Sequence, residues 1–323
     1  MLYEVASQAT KNLLAVSRIK GVGKKSLNYI ARDSSFKFAT PDSFGLYVPE
    51  YLKLTDSARI DLLDSIERDL DACEKLGVKV FSSFDSEYPD TFRKIPDAPP
   101  IIYCKGEYRL LKEKCLTVIG TREPTLVGVE SAKRITAWFA ENGWVIVSGL
   151  AVGVDATAHK QCLDSRGKTI AVLAHGLEKI YPAENKHLAA SIMDQGGLLM
   201  SEYAPYSKVF KSGFVERDRL QAALSMGTVL VQTGVQGGSL HASRASLFYN
   251  RILIVVNPVA ADIDAQQEKI EGNLKIINTA NKSELSSYLK CSAFMLENIR
   301  TLKGRGDYES LNFELNKSYN NFS

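Results

Sequence analysis

The chain has 323 residues, of which 45% are hydrophobic and 24% are charged, proportions typical of a folded globular protein. Forty basic residues against 37 acidic ones leave a net charge of +3, which permits nucleic-acid binding without being evidence for it. The sequence has no signal-peptide pattern and no apolar run near the ~18 residues of a membrane span. Its five scattered cysteines lack CxxC spacing. We therefore expect a cytoplasmic protein with reduced thiols and without a membrane segment, a disulfide framework or a zinc site.

Residues 1–76 have the pattern of a small all-helical domain. Apolar residues recur every three or four positions in Ala9–Ile19 and again in Leu52–Leu76, and nothing alternates with a period of two. The pattern changes at Val78, and the stretch 77–106 contains four of the ten prolines. Proline disfavours helix in the residue before it, so we predict that 77–106 is an extended lead-in with little helix.

Residues 107–290 repeat a short apolar run, a glycine and an amphipathic helix. Most runs are rich in valine and isoleucine and apolar throughout, as in strands that helices cover on both faces. The runs are LTVIG (116–120), WVIVSG (144–149), KTIAVLAHG (168–176), LLMSEY (198–203), TVLVQT (228–233) and RILIVVNP (251–258). The sequence therefore predicts an α/β fold with a Rossmann-like, doubly wound and mainly parallel sheet. The remaining 291–323 is predicted to form a C-terminal helix and a frayed polar tail.

Three of the predicted strands are followed by glycines and hydroxyl groups, at the edge where open α/β sheets bind ligands. After the first strand come Gly120, Thr121 and Arg122, and an arginine can hold a phosphate with two hydrogen bonds. The corresponding residues are Ser148, Gly149 and Gly153 after the second strand, and Gly237, Gly238 and Ser239 after the fifth. Any one of these groups is explained by an ordinary turn. Three at equivalent strand ends favour an anion or phosphate site built from free backbone N–H groups.

The common nucleotide-binding and catalytic signatures are missing. The segment GVGKKS (21–26) resembles a Walker A loop, but Arg18 stands where glycine is required and Lys25 where Ser or Thr must follow Gly-Lys. The absence of GxGxxG disfavours NAD and FAD, and no HExxH, GxSxG or metal-spaced His/Cys set occurs. His159 follows Asp155 by four residues, a spacing that favours a structural hydrogen bond over an acid–base pair. We therefore expect no cofactor and no metal.

The turn IKGVGKKSL (19–27) has a feature of DNA-binding proteins. Glycines between two short helices are typical of a helix-hairpin-helix turn, which presents backbone N–H groups to a DNA phosphate. Gly21, Gly23 and Lys24 are thus candidates for a second DNA contact. An ordinary interhelical turn with a solvated lysine face explains the same pattern.

The stretch 205–225 combines basic and aromatic side chains. They are Lys208, Lys211, Arg217 and Arg219 with Phe210 and Phe214. Basic groups neutralise phosphates while aromatic faces stack on unpaired bases, a combination suited to single-stranded nucleic acid. Glu216 and Asp218 dilute the positive charge, so an internally paired, solvated helix start explains the composition equally well.

The motifs of residues 80–290 are similar, in their order, to those of the DNA-processing protein A family (DprA, also called Smf). They are VIGTREPTLVGVESA, VSGLAVGVDATAHK, KTIAVLAHGLEKIYPAENKHLA, GLLMSEY, FVERDRLQAALS and GGSLHASR. The resemblance implies a Rossmann-like core that binds single-stranded DNA. It further implies a homodimer without enzymatic activity that helps to load a RecA-type recombinase onto incoming strands during natural transformation.

The resemblance also implies roles for individual residues. It assigns Arg122 of the GTR motif to the DNA groove, with Gly237, Gly238 and Ser239 beside it. The other groove residues that it implies are Lys211, Phe214, Arg217 and Arg219. The N-terminal region with GVGKKS resembles the family's small helical domain.

Two motifs depart from the family pattern, which indicates a diverged member. FVERDR stands for the usual FPxRNR, so Glu216 and Asp218 should weaken the attraction for phosphate. GGSLHASR stands for the usual SGSLxTAR, with His241 and Ala242 at the changed positions.

Two other functions remain open on the sequence. Related Rossmann-like domains include enzymes that split the base from a nucleoside monophosphate, although GGSLHASRAS offers no carboxylate for that reaction. A nucleotide sensor, which would bind a small phosphate ligand without chemistry, is the other alternative.

Overall fold

The N-terminal region of the chain is helical. The computed structural model describes residues 4–208 and 210–322, without the side chain of Lys211. The helices before the sheet are α1 (Gln8–Ser17), α2 (Lys24–Ile30), α3 (Phe44–Tyr47) and α4 (Asp56–Lys75). Ser7 and Thr55 cap α1 and α4, since their hydroxyl groups accept hydrogen bonds from the N–H groups of Thr10 and Ala58. The predicted small all-helical domain is confirmed.

Within the described ranges, nine strands form one sheet. They are β1 (Val78–Ser82), β2 (Ile101–Gly106), β3 (Cys115–Ile119), β4 (Val145–Ser148), β5 (Thr169–Leu173), β6 (Leu198–Ser201), β7 (Gly227–Leu230), β8 (Ile252–Val256) and β9 (Ile299–Leu302). Their order in the sheet is β1-β2-β6-β5-β4-β3-β7-β8-β9. The β1–β2 and β2–β6 pairs are antiparallel and all the others are parallel. The predicted Rossmann-like, doubly wound and mainly parallel sheet is therefore confirmed.

Helices cover both faces of the parallel strands. The remaining helices are α5 (Asp90–Arg93), α6 (Leu126–Glu141), α7 (Val154–Asp164), α8 (Lys186–Asp194), α9 (Lys211–Leu224), α10 (Leu240–Phe248), α11 (Ala260–Asp264), α12 (Glu271–Asn278), α13 (Lys282–Leu289) and α14 (Tyr308–Phe322). Neighbouring β4 residues belong to different cores, because successive strand residues point to opposite faces. Ile146 packs with Phe139 of α6, whereas Val147 packs with Leu220 of α9. No helix in the two described ranges has the length and apolar character needed to cross a bilayer.

The N-terminal helices share a core with one edge of the sheet. Leu13 of α1 and Phe36, which lies between α2 and α3, are fully buried. They belong to the same apolar cluster as Val80 of β1 and Ile192 of α8. The helical region and the sheet edge are thus held together by continuous apolar packing.

The strand order reverses between β3 and β7. From β3 the chain adds β4, β5 and β6 on one side, and it then returns to place β7, β8 and β9 on the other side of β3. The loops after β3 and β7 consequently leave the sheet in opposite directions. A crevice opens between such loops, and it is the usual ligand-binding position of open α/β sheets.

The C-terminal segment differs from the predicted helix and frayed tail. Residues 299–302 form β9, which pairs in parallel with β8, and α14 continues to Phe322. Leu315 of α14 is fully buried, and the indole N–H of Trp144 donates to Asn312 Oδ1 over 2.8 Å. The sequence does not predict β9, because its four residues, Ile-Arg-Thr-Leu, contain no continuous apolar run. Three of them are half-buried, as in a strand at the edge of a sheet.

Candidate nucleic-acid interface

A cleft of about 740 Å³ lies at the point where the strand order reverses. Its walls are the loops after β3 and β7 and the N-terminal half of α9. Eight of the predicted site residues line it, namely Gly120, Thr121, Arg122, Phe214, Arg217, Gly237, Gly238 and Ser239. A hollow of about 200 Å³ adjoins the cleft, shares Arg122, Phe214 and Arg217 with it, and is also lined by Gly149. The structure therefore brings residues of all three predicted strand ends to one concave surface.

The loop after β3 presents Arg122 to the cleft. The N–H of Thr121 donates to the Gln232 carbonyl over 2.8 Å, which fixes this loop against the loop after β7. At Gly120 the backbones approach so closely that a Cβ would lie 3.0 Å from the same carbonyl oxygen. Arg122 itself is exposed, and within the described part of the chain its side chain makes no hydrogen bond or ion pair. Its guanidinium is thus available for a phosphate.

In the turn after β4, the first of the predicted anion-binding N–H groups is already used. The N–H of Gly149 donates to Asp155 Oδ2 over 3.1 Å, so the protein's own carboxylate occupies this position. Ser148 is fully buried and its hydroxyl donates to the Val118 carbonyl over 2.7 Å. Gly153 has a φ of +83°, and a Cβ there would lie 2.5 Å from the Thr121 carbonyl oxygen. Gly149 thus lines the adjoining hollow with its N–H occupied, whereas Ser148 and Gly153 position this turn against the loop after β3.

The loop after β7 leaves two of its three predicted N–H groups free, whereas the N–H of Gly237 donates to the Gly234 carbonyl over 3.0 Å. Gly238 and Ser239 precede α10, and within the described ranges their N–H groups make no hydrogen bond. Ser239 donates its hydroxyl to Thr233 Oγ1 over 2.8 Å, which orients the loop. Gly238 has open space around its Cα. Two free N–H groups at the positive end of a helix dipole favour a phosphate here.

Aromatic side chains border the cleft on the α9 side. Phe214 is half-buried and meets Tyr181 in an edge-to-face arrangement with ring centroids 5.6 Å apart. Tyr181 and Phe210 are each more than half exposed. Exposed rings of this kind can stack on unpaired bases. Lys211, the first residue of α9, has its side chain outside the described atoms, so its predicted role stays a prediction.

Arg217 and Arg219 point to different environments, because residues two apart on a helix do not share a face. Arg217 is buried at the cleft floor, where its Nη1 donates to the Val172 carbonyl over 2.8 Å and its Nε lies 3.2 Å from Asp218 Oδ1. Arg219 instead donates to both oxygens of Glu202, at 2.9 and 2.8 Å. Both bonds come from Nη2, and Nη1 donates to the Asp97 carbonyl over 2.8 Å. Arg219 does not line the cleft, so these contacts indicate a structural role in place of the predicted DNA contact.

The predicted second DNA contact lies beside α9. Gly21 has a φ of +101° in the turn before α2, and Gly23 precedes the first helical residue, Lys24. The Lys24 ammonium lies 2.5 Å from Glu216 Oε2, and this pair lowers the pKa of Glu216. The lysine predicted to contact phosphate is therefore engaged by one of the two acids that distinguish FVERDR.

The comparisons with known proteins agree on one family. The model of the family described as DNA recombination-mediator protein A matches residues 79–288. The chain belongs to this family. It is 35% identical to DNA processing protein DprA of Bacillus subtilis over 59% of this chain and 64% of that protein, and 39% identical to DprA of Streptococcus pneumoniae over 50% and 56%. The match thus spans less than two thirds of either relative.

Two solved DprA structures share the fold. The Helicobacter pylori structure, which describes a single-stranded DNA binding mode of that protein, is 25% identical, with a TM-score of 0.60 over 74% of this chain and 97% of its own. The Streptococcus pneumoniae structure is 24% identical, with a TM-score of 0.62 over 94% and 92%. The DprA fold therefore extends over most of the chain.

Asp218 is the acid that the resemblance described in the sequence analysis marks as a departure, since asparagine is usual at its position in the motif. Burial raises the pKa of Asp218 to about 6, although Arg217 and Arg122 favour its ionised form. Burial likewise raises the pKa of Asp155 to about 6, against the opposing effect of Arg217. Both carboxyl groups line the cleft. The cleft charge consequently depends on pH near 6.

The predicted Asp155–His159 hydrogen bond is not formed. His159 Nδ1 lies 2.7 Å from Thr169 Oγ1, and burial lowers the pKa of His159 to about 3. His159 is therefore neutral at physiological pH, which does not suit a general acid. Among the described residues, no group of three or more His, Cys, Asp and Glu side chains could hold a metal ion.

Several residues that line the cleft were not singled out from the sequence. Tyr181 joins Phe214 at the rim, and Lys269 forms an ion pair with Glu123 over 2.8 Å across the mouth. The segment Gly234–Gln236 completes the loop after β7. A weak signal existed for Tyr181, which follows a predicted strand and precedes a proline. No sequence signal pointed to Lys269, because its place at the cleft depends on the path of the chain after β8.

Proposed function

We propose that this chain is a non-catalytic protein that binds single-stranded DNA in the cleft. It would protect incoming or processed strands and assist loading of a RecA-type recombinase in DNA uptake and recombination, as a cytoplasmic homodimer. One observation carries the proposal: the free Arg122 guanidinium and the free N–H groups of Gly238 and Ser239 line the same cleft as Phe214. Membership of the DprA family supports it.

The composition of the cleft favours a single strand over a duplex. Arg122 on one wall and Gly238 and Ser239 on another can each neutralise or hydrogen-bond a phosphate oxygen. Phe214 and Tyr181 offer ring faces or edges to bases, which are accessible only when they are unpaired. The Helicobacter pylori relative, whose structure describes single-stranded DNA binding, has the same fold.

The test measures DNA affinity by fluorescence anisotropy over a range of salt concentrations. Arg122→Ala should weaken binding to all single-stranded sequences alike and lower the slope of log affinity against log salt by about 0.7, the value for one lost phosphate contact on a single strand. Arg68→Ala, which removes an exposed charge from α4, is the matched control. Affinity that does not vary with salt, or equal effects of the two variants, would contradict the proposal.

The finer parts of the proposal need separate measurements. Addition of the protein should shorten the lag before a RecA-type recombinase hydrolyses ATP on strands coated with single-strand binding protein. Light scattering of the purified chain should give twice its monomer mass of 35.6 kDa. An unchanged lag or a monomer mass would refute the corresponding part while leaving DNA binding intact.

A nucleotide-binding role, as a sensor or a nucleoside monophosphate hydrolase, is the second candidate. The observation that favours it is the pair Asp155 and Asp218, which puts carboxyl groups with raised pKa values into the cleft. If the chain binds single-stranded DNA as proposed, a mononucleotide competitor should displace little bound oligonucleotide. Chromatography should then detect no free base after incubation of the protein with nucleoside monophosphates. Release that Asp155→Asn abolishes would establish the hydrolase instead.

A further inference from the structure

A second groove, of about 480 Å³, lies between α6, the loop after β8 and the segment that joins β9 to α14. Its basic side chains are Arg134, Lys303 and Arg305, all of which are exposed. In the part of the chain that the structure describes, none of the three forms an ion pair. Glu141 is the acidic residue that lines the groove, so positive charge prevails.

Two aromatic side chains with unused hydrogen-bond donors form the wall of this groove. Trp138 is half-buried, and its ring centroid lies 5.3 Å from that of Tyr308. Within residues 4–208 and 210–322, neither the Trp138 indole N–H nor the Tyr308 hydroxyl makes a hydrogen bond. Trp138 follows Arg134 by four residues, so both side chains lie on one face of α6.

Asp307 fixes the loop that carries Lys303 and Arg305. The Asp307 carboxylate accepts hydrogen bonds from the N–H groups of Lys303 and Gly304, at 2.7 and 3.1 Å. These two hydrogen bonds stabilise the loop that carries Lys303 and Arg305. A Cβ at Gly304 would meet no atom within 4 Å.

We propose that this groove, defined by Arg134, Trp138, Lys303, Arg305 and Tyr308, binds a further segment of the single strand that occupies the cleft. The inference rests on the proposed function. The Arg134 Nε donates to the Glu130 carbonyl over 3.3 Å, which leaves the rest of its guanidinium for a ligand. Guanidinium and ammonium groups without an ion pair, beside a half-buried indole that lines the groove, are the chemistry that holds the backbone and bases of single-stranded DNA. The groove is built in part from residues 302–308, which lie beyond the region matched by the family model.

Helix α6 connects the two sites. Arg122 and Glu123 of the cleft precede its first turn, and Arg134 lies eight residues after its first residue, Leu126. At 1.5 Å per residue, Arg134 lies about 12 Å along the helix, and Ser131, the first α6 residue that lines the groove, lies about 8 Å along it. A strand of only a few nucleotides can therefore fill the cleft alone, whereas a longer strand can reach both sites.

The position of the tryptophans provides a specific readout. The chain has two of them, and Trp144 is buried with its N–H bonded to Asn312. A base stacked in the groove should therefore quench Trp138 and leave Trp144 unchanged. We expect an oligothymidine of about 25 nucleotides to quench the emission and one of about six, a single site's length, to bind with little quenching.

The variant for the test is the double substitution Arg134→Ala/Arg305→Ala. It should abolish quenching by the long oligonucleotide, lower its salt slope by about 1.4 and leave the affinity for the short one unchanged. Arg68→Ala/Lys75→Ala on α4 removes the same charge elsewhere and should behave as wild type. Trp138→Phe should remove the quenched component of the emission and leave the affinity for the short oligonucleotide, which the cleft alone holds, unchanged.

The outcomes separate this inference from the proposed function. If the short oligonucleotide binds in an Arg122-dependent manner but the double variant binds the long one as wild type does, the groove is not a DNA site. If an acidic peptide quenches Trp138 and long DNA does not, the groove binds protein and the inference is wrong. If neither oligonucleotide binds, the proposed function itself fails.

Discussion

At the scale of single residues, the cleft combines groups that attract phosphate with acids that repel it. Arg122 is free, while Arg217 is buried between Asp218 and the Val172 carbonyl. Asp155 and Asp218 have pKa values raised to about 6 by burial. Protonation of these acids therefore changes the cleft charge in a range where phosphate remains ionised.

The first prediction concerns the pH dependence of DNA binding. Above pH 6 the Asp218 carboxylate is ionised beside Arg217, Arg122 and Asp155, so it reduces the attraction for DNA. Affinity should rise as the pH falls from about 7.5 to 5.5 at constant ionic strength, because the acid becomes neutral. Asp218→Asn should bind more tightly at the higher pH and show a flatter profile, measured by anisotropy.

Glu123→Gln is the control for this profile. Glu123 also lines the cleft, but its hydrogen bond with Lys269 lowers its pKa, so it stays ionised over the whole range. Its replacement should change the affinity without flattening the curve. If Asp218→Asn showed the same pH dependence of DNA affinity as wild type, Asp218 would not be the titrating group.

The second prediction distinguishes Arg219 of α9 from Arg122 by their contributions to the free energy of unfolding. Arg219→Ala removes the guanidinium whose Nη2 donates to both oxygens of the Glu202 carboxylate, a side chain only 13% exposed, so the free energy of unfolding should fall by about 2 kcal/mol. Arg122→Ala should leave it nearly unchanged, since Arg122 is exposed and unpaired. Urea denaturation measures both, and an unaffected Arg219→Ala protein would contradict the structural role.

At the scale of elements, sequence reasoning succeeded for the buried strands. Strands β3 to β8 were predicted because their burial on both faces requires uninterrupted apolar residues. The edge strand β9 has no such requirement, so its sequence carries little signal. A doubly wound sheet implies a reversal of strand order, but its place between β3 and β7 could not be predicted, because pairing depends on contacts between distant residues.

The errors at the site have equally definite causes. The Gly149 turn was expected to bind an anion, but whether its N–H is free depends on Asp155, whose direction follows from tertiary packing. For Arg217 and Arg219 a signal existed: a spacing of two on a helix predicts opposite environments. For Gly238 and Ser239 the local geometry alone carries a signal, because a glycine pair before a helix leaves N–H groups without helical partners, and within the described ranges these two make no hydrogen bond. Their role in DNA binding stays a prediction.

The third prediction tests α14 as an integral part of the fold. Leu315 is fully buried against the core that contains Phe139, so Leu315→Ala should lower the free energy of unfolding by about 2–5 kcal/mol. Phe313, which is 73% exposed on the same helix, is the matched control, and its alanine variant should stay within about 0.5 kcal/mol of wild type. Equal, small effects in urea denaturation would indicate the frayed tail that the sequence suggested.

At the scale of the whole molecule, the helical region and the sheet are parts of one packed body. Leu13 and Phe36 lie in the same core as Val80 and Ile192, and Lys24 reaches Glu216 on α9. The surface ion pair contributes little, about 0–1 kcal/mol. Apolar packing therefore couples the two regions.

The fourth prediction follows from that shared core. Calorimetry of the full chain should show a single unfolding transition, with a ratio of calorimetric to van't Hoff enthalpy near one. Phe36→Ala should shift that entire transition to lower temperature and leave no part of the molecule at the original one. Two separate transitions, of which only one responds to the substitution, would show that the regions unfold independently.

The hydrogen bond from Gly149 to Asp155 has a consequence for ligand size. One of the three strand ends suited to a phosphoryl group is already filled from within by a carboxylate. A mononucleotide therefore has fewer N–H groups available to bind its phosphate, and we expect its affinity to be low. A polymer is less affected, because successive phosphates can engage Arg122 and the Gly238–Ser239 amides together, so the protein should discriminate by chain length before it discriminates by base.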